Sequence, residues 1–148
     1  MQIGDVMTPE VVSATGDASL GEVAGLMRDR SVGSVVITEH GRPAAVITDR
    51  DVALALGAEG AGRDDPVASH ASRPLVTGEP AMDLEEAAAL MVQHRIRRLP
   101  VVHEETLAGI VTLDDLAVRT GDAQLAQRMT ADVARAALPE FFFHQRGG

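Results

Sequence analysis

The fold of this chain is decided by two short runs, Arg97-Arg98-Leu99-Pro100-Val101-Val102 and Gly109-Ile110-Val111-Thr112-Leu113-Asp114-Asp115. Apolar residues dominate 99–103 and 107–112, and the polar pair Glu104-Glu105 separates them, which predicts a β-hairpin. The second run ends in the pattern Thr-x-x-Asp, formed by Thr112 and Asp115. The stretch therefore predicts a strand, a turn and a second strand that passes into a helix at a polar signature.

The same pattern occurs earlier, because the sequence repeats itself with a shift of 64 residues. From Leu20 to Gly57 the two copies align without a gap. The clearest identities pair Met27 with Met91, Thr48 with Thr112, Asp51 with Asp115 and Gly57 with Gly121. Repeats of about 55–60 residues are marginally stable alone, so we expect the copies to pack together. A pair of equivalent binding sites is the simplest explanation of the shared Thr-x-x-Asp.

Each copy is predicted to contain a strand, a helix, two strands and a helix. In the first copy these are a β-run at 10–14, a helix from Leu20, strands at 34–38 and 44–48, and a helix that stops at Gly57. Ser19 and Glu22 match a capping box, and Asp83 and Glu86 hold the same places in the second copy. Uninterrupted apolar runs in the hairpin predict strands covered on both faces. The fold class is therefore α/β (α+β), with two tandem β-α-β-β-α repeats related by a pseudo-two-fold axis.

The domain boundaries follow from the repeat. The first repeat spans residues 1–57, a polar linker spans 58–66, the second repeat spans 67–121 and an unrepeated tail spans 122–148. In the tail, apolar residues at helical spacing predict one more helix: Leu125, Met129, Val133 and Ala137. Phe141, Phe142 and Phe143 follow this helix. Either their rings pack on the domain's own surface, or the tail forms a dimer contact or a docking site.

The composition argues against several classes of protein. A net charge of −9, from 22 acidic and 13 basic residues, disfavours a general nucleic-acid binder. No cysteine is present, no apolar stretch approaches the ~20 residues of a membrane span, and the N-terminus lacks a signal-peptide pattern. We therefore expect a cytoplasmic protein. The five histidines show no metal-ligand spacing and no catalytic motif occurs, so we expect neither a metal site nor an enzyme.

Residues 1–121 resemble a tandem pair of CBS motifs, known as a Bateman module. The resemblance is carried by Met7-Thr8-Pro9 at the opening of the first copy and by the two runs quoted above. The chain is similar to the small stand-alone CBS-pair proteins of bacteria. This resemblance implies clefts between the two repeats that take AMP, ADP or ATP, or in some relatives S-adenosylmethionine, NADH or cyclic dinucleotides. It also implies a homodimer and regulation of a protein partner that the sequence does not identify.

The doubled Thr-x-x-Asp fits that role chemically. An ionised aspartate at a helix start can accept hydrogen bonds from both hydroxyls of a ribose, which makes Asp51 and Asp115 the ribose candidates. Thr48 and Thr112, with the free amides of the helix start, are the candidates for the phosphate side. A lone Thr-x-x-Asp is usually only a helix cap, but its repetition inside CBS-like surroundings favours a binding role.

Arg98 is the candidate cation, because a guanidinium can bind phosphate oxygens bidentately. The alternative is that Arg95, Arg97 and Arg98 form a solvated basic patch or pair with nearby acids. In the first copy Ser34 stands in place of Arg98, so the two clefts are expected to differ. Arg50 could compensate there, but the sequence does not indicate where it points.

An adenine base would have to lie between aliphatic side chains, since the chain has no tryptophan or tyrosine. The candidates for these walls are Val12, Ile47, Val76 and Ile110. For each of them, ordinary core packing is an equally good reading.

The leading hypothesis is a regulatory module that senses an adenine nucleotide, either alone or with magnesium. The rival hypothesis is a ligand-free module that dimerises or docks through the CBS fold and the Phe141–Phe143 tail. Direct DNA binding is a third reading, which the net charge disfavours.

Overall fold

The computed structural model of the chain describes residues 1–113, 115, 116, 124, 127 and 131. Its strands and longer helices are β1 (Ser13–Thr15), α1 (Leu20–Arg30), β2 (Ser34–Glu39), β3 (Arg42–Thr48), α2 (Asp49–Gly57), α3 (Leu84–His94), β4 (Arg98–His103) and β5 (Thr106–Thr112). Short 3-10 helices lie at Ile3–Asp5 and Val67–Ser69. The predicted mixed α/β fold with two repeats is confirmed. The first strand is shorter than predicted, and the hairpin strands are longer.

Two compact units make up the chain, and their limits differ from those of the sequence repeats. Unit A comprises Glu10–Leu75 and Glu104–Leu107. Unit B comprises Met1–Pro9, Val76–His103 and the described residues from Ala108 onward. Residues 1–9, which the sequence assigns to the first repeat, therefore belong to the unit built on the second repeat.

Unit A contains a three-stranded sheet in which β1 is parallel to β2, and β2 is antiparallel to β3. The core joins α1 and α2 to this sheet; its buried residues are Leu20, Val23, Met27, Val35, Ile37, Ala45, Ile47, Val52, Ala55 and Val67. The apolar run of β2 is buried throughout, as predicted for a strand covered on both faces. In β3 burial alternates instead, so Val46 is only half-buried between Ala45 and Ile47. The prediction that both faces of the strand are covered is therefore wrong for β3.

Unit B contains the two-stranded sheet of β4 and β5. Gly78 adds a short parallel pairing to it, because its amide donates to the Pro100 carbonyl and its carbonyl accepts from the Val102 amide, both at 2.9 Å. The core of this unit includes Ile3 and Val6, whose side chains are 0% and 2% exposed. Removal of these two apolar side chains from water holds residues 1–9 in unit B.

Residues 1–9, here called the N-terminal strap, are also paired with β5. Thr8 and Ile110 exchange both backbone hydrogen bonds, each at 2.9 Å. In unit A, Ser72 and Val46 make the equivalent exchange at 2.8 and 3.4 Å. Ser72 lies 64 positions after Thr8, and Val46 lies 64 positions before Ile110, so the same shift relates both pairs. The repeat therefore extends upstream of the helices, to segments outside the aligned range from Leu20 to Gly57.

Gly109 of β5 allows the strap to approach closely. A β-carbon at this position would lie 2.6 Å from Met7 Sδ and 2.8 Å from the Thr8 carbonyl oxygen, closer than a side chain tolerates. Unit A has Ala45 and Ala71 at the two equivalent places. The bulky Met7 is thus accommodated by the absence of a side chain opposite it.

Only one of the two predicted capping boxes at the helices α1 and α3 forms. Ser19 Oγ accepts from the Glu22 amide at 3.1 Å, and the Glu22 carboxylate accepts from the Ser19 amide at 3.2 Å. Asp83 makes no side-chain capping bond. The prediction for Asp83 and Glu86 is therefore wrong. The strap supplies an acceptor there instead, since the Leu84 amide donates to the Met1 carbonyl at 3.3 Å.

The predicted tail helix and the Phe141–Phe143 cluster lie outside the described residues. Within the part of the chain that the structure describes, no helix combines the length and the hydrophobicity needed to cross a membrane.

Because the side chain of Ser19 caps its helix and that of Asp83 does not, replacing each by alanine should have unequal effects on stability. Ser19→Ala should lower the free energy of unfolding by about 1 kcal/mol, because it removes a capping hydroxyl. Asp83→Ala, the matched control at the equivalent position, should lower it by less than about 0.5 kcal/mol. Urea unfolding followed by circular dichroism measures both values. Equal losses would contradict this account of the caps.

The close approach at Gly109 predicts that Gly109→Ala lowers the free energy of unfolding by about 1–3 kcal/mol through overpacking. Gly57→Ala is the control, because a β-carbon there meets nothing within 4 Å. Adding Met7→Ala should recover part of the loss, since it vacates the space that the new methyl group needs. A double variant with strictly additive losses, in the same unfolding experiment, would contradict the proposed clash.

Candidate functional site

The two Thr-x-x-Asp patterns form the same structure at the ends of β3 and β5. Thr48 Oγ1 accepts from the Asp51 amide at 3.2 Å, and Asp51 Oδ2 accepts from the Thr48 amide at 2.9 Å. Thr112 and Asp115 repeat this exchange at 3.0 and 3.1 Å. Each pair is therefore a complete capping box at a helix start. We call the surroundings of the first pair site A, in unit A, and those of the second pair site B, in unit B.

The capping role leaves part of each carboxylate available. In both aspartates Oδ2 accepts the capping hydrogen bond, while Oδ1 accepts none from the described residues. Asp51 and Asp115 are both half-buried, as are their threonine partners. An ionised carboxylate can accept several hydrogen bonds, so each one can cap its helix and still bind a hydroxyl group. The helix-cap reading and the binding reading are thus compatible at the same residue.

Site B has one contact that site A lacks. The Thr8 hydroxyl of the strap lies 3.5 Å from Asp115 Oδ2, close enough to donate to it. Ser72, the equivalent of Thr8, makes no such bond to Asp51. Thr8 is not among the site residues predicted from the sequence. The signal that could have found it is the alignment of Thr8 with Ser72 under the same 64-residue shift.

Unit B brings the segment that carries Arg98 next to the end of β5. Arg98 is the first residue of β4, and the Leu113 amide donates to the carbonyl of the preceding Arg97 at 3.3 Å, which brings the start of β4 beside the end of β5. The Arg98 side chain is half-buried and forms no ion pair with any described residue. The choice between a phosphate ligand and an acidic partner for Arg98 stays a prediction.

Ser34 holds the equivalent place in site A and differs strongly from Arg98. It is 8% exposed and is the sole buried polar residue among those the structure describes. Its strand partner is Thr48, so it lies directly beside the capping threonine. Arg50 is exposed on α2. At this place the two sites therefore differ, with a half-buried arginine in site B and a buried serine in site A.

The predicted apolar walls divide into two groups. Val12, Val76 and Ile110 are half-buried, so part of each side chain remains accessible. Ile47 is fully buried in the core of unit A and cannot offer a wall to a ligand there. The reason is the alternation of side chains along β3: the residue equivalent to Ile110 is Val46, one position earlier. Val46 replaces Ile47 as the candidate wall of site A.

Away from these sites, several titratable groups among the described residues form ion pairs. Two hydrogen bonds from Arg73 to Glu39 hold the pKa of Glu39 below its ordinary value, and His70 Nδ1 lies 3.3 Å from Glu59 Oε2. No group of three or more histidine, aspartate or glutamate side chains with the arrangement of a metal site occurs among the described residues.

Comparison with known proteins identifies the repeats. The model of the CBS domain matches residues 3–58 and 67–119. The CBS domain-containing protein YhcV of Bacillus subtilis is 43% identical over 116 residues, which cover 78% of this chain and 83% of that protein. Hypoxic response protein 1 of Mycobacterium tuberculosis is 28% identical over 136 residues, covering 90% and 95% of the two chains.

Solved structures share this fold. The CBS domain protein PAE2072 of Pyrobaculum aerophilum, in complex with AMP, has a TM-score of 0.76 and 26% identity, and the match covers 86% of this chain and 99% of that one. Hypoxic Response Protein I, with two coordinated zinc ions, has a TM-score of 0.74 and 26% identity, with coverage of 80% and 98%. Together with the two matched repeats, these similarities show that the chain belongs to the CBS domain family and carries two copies of the CBS domain.

Proposed function

We propose that this protein is a regulatory module that binds an adenine ribonucleotide, with AMP as the preferred ligand of site B. The observation that carries the proposal is the repeated capping box, in which each aspartate keeps one carboxylate oxygen free of hydrogen bonds from the described residues. The AMP complex of the similar Pyrobaculum protein supports the choice of ligand class.

In this proposal Asp115 binds the ribose. Its half-buried carboxylate would accept hydrogen bonds from the two cis hydroxyls, and such charge-assisted bonds contribute about 1.5–3 kcal/mol each. Thr112 and the amides at the helix start would lie toward the phosphate. Val76 and Ile110 would contact the base, as accessible aliphatic surfaces in a chain without tryptophan or tyrosine.

Arg98 would bind the phosphate in site B. Its guanidinium has no ion-pair partner among the described residues, and its forked donors match two phosphate oxygens. One arginine in a chain of net charge −9 matches a monophosphate better than a triphosphate, which would need magnesium or further cations. Site A has the neutral Ser34 at this place, so we propose that it binds the same ligand more weakly.

Ligand binding would regulate this protein by favouring one conformation over another. The shift is limited by the difference in ligand affinity between the two conformations. The homodimer, the protein partner and the cytoplasmic location remain predictions.

The ribose role of Asp115 predicts the effect of removing its charge alone. Asp115→Asn keeps a side-chain acceptor for the helix cap but should weaken AMP binding at least about 10-fold, the equivalent of one charge-assisted hydrogen bond. Asp51→Asn makes the same change in site A and should weaken it less. Isothermal titration calorimetry on nucleotide-free protein measures both affinities. If neither substitution changes AMP affinity, the assignment is wrong, and absence of binding to the unaltered chain would favour the ligand-free interaction module.

If Arg98 binds the phosphate, replacing it should weaken the binding of a ligand that carries a phosphate and spare one that does not. Arg98→Ser, which installs the residue found in site A, should reduce AMP affinity about 10-fold while leaving the affinity for adenosine nearly unchanged, because adenosine has no phosphate. Arg97→Ser, one position away and exposed, is the control. Competition binding with AMP and adenosine gives the ratio directly. An equal loss for both ligands would indicate damage to the fold rather than loss of a phosphate contact.

A further inference from the structure

We infer that Thr8 is a positioning residue of site B, and that the N-terminal strap thereby completes this site. The inference rests on the proposed function, because it assigns Thr8 the task of orienting the carboxylate that would bind the ribose. Its basis is the 3.5 Å separation of Thr8 Oγ1 from Asp115 Oδ2, across 107 positions of the chain.

The backbone of Thr8 is held in place from three directions. Its amide and carbonyl both pair with Ile110, each at 2.9 Å. Met7 packs where Gly109 lacks a side chain. Pro9 follows, and a residue before proline is restricted to extended backbone conformations. Thr8 is therefore a fixed donor at the edge of the site, and its half-buried side chain faces Asp115.

Two donors lie within hydrogen-bond distance of Asp115 Oδ2, one of them the Thr8 hydroxyl. A strong hydroxyl-to-carboxylate bond is shorter, about 2.5–2.7 Å, so a separation of 3.5 Å leaves Oδ2 only weakly engaged. The Thr112 amide binds the same oxygen at 3.1 Å. Two donors on Oδ2 resist rotation of the carboxylate and direct Oδ1 away from them. This orientation makes Oδ1 available to a ligand hydroxyl.

Unit A provides the comparison within the same chain. Ser72 occupies the place of Thr8 and has the same backbone pairing with Val46, yet its hydroxyl makes no bond to Asp51. Each unit therefore has a segment paired with its β-strand in this way, but a side-chain contact from this segment to the aspartate occurs in unit B and not in unit A. On this basis the strap sets the affinity of site B and not of site A.

The test uses the full chain with Asp51→Asn, so that site B dominates binding. Calorimetry with AMP and 2′-deoxy-AMP compares Thr8→Val, which removes the hydroxyl at nearly constant volume, with Thr8→Ser, which keeps it. Thr8→Val should weaken AMP binding about fivefold and reduce the preference for AMP over 2′-deoxy-AMP, because the carboxylate is less well directed. Thr8→Ser should restore both. Ser72→Ala should change neither, and urea unfolding should show all variants to be folded.

The outcomes separate this inference from the proposed function. If Thr8→Val binds like the parent while Asp115→Asn weakens binding, the role of Thr8 is wrong and the proposed function stands. If Thr8→Val and Thr8→Ser weaken binding equally, the effect is one of packing and the positioning role is also wrong. If the unaltered chain binds no AMP, both fail.

Discussion

The rest of the structure depends on the pairing of two segments with β-strands. These segments are the N-terminal strap and its equivalent around Ser72. Thr8 pairs with Ile110 and Ser72 pairs with Val46, so backbone groups of β5 and β3 find partners in the first residues of the other repeat. Buried backbone donors and acceptors are costly to leave unpaired, and the apolar residues Ile3 and Val67 anchor the segments in the two cores. Neither unit is therefore built from one repeat of the sequence alone.

The Thr-x-x-Asp pattern then serves the fold and the proposed chemistry together. As a capping box it satisfies backbone amides at a helix start, which every helix requires and which demands no ligand. Because a carboxylate has two oxygens, Asp51 and Asp115 meet that requirement with one of them. The same aspartate that caps the helix thus also offers a carboxylate oxygen as a hydrogen-bond acceptor. The proposed ribose contact needs no further residue at the helix start.

The two units differ in the residues that occupy equivalent positions of the repeat. Site B combines Arg98 with the contact between Thr8 and Asp115, whereas site A has the buried Ser34 and no equivalent contact from Ser72. Unit B also has Met7 and Gly109 where unit A has two alanines, so the larger Met7 side chain packs on β5. The first two differences lie beside the ends of β3 and β5, and the third lies at the middle of β5. They leave the backbone pairing of the two units unchanged.

The sequence by itself determined α1, α2, α3, the hairpins and the two capping boxes of Thr-x-x-Asp, because each depends on residues only a few positions apart. Hydrophobic spacing and turn residues are sufficient for such local features. The repeat followed from comparing the sequence with itself at a shift of 64 residues. Tertiary structure alone decided three other features: the strap lies in unit B, the Met1 carbonyl accepts from the first amide of α3, and Val46 rather than Ile47 is accessible on β3. These outcomes depend on which distant segment covers each edge and face. Thr8 reaches Asp115 across 107 positions, and no local pattern encodes such a pairing.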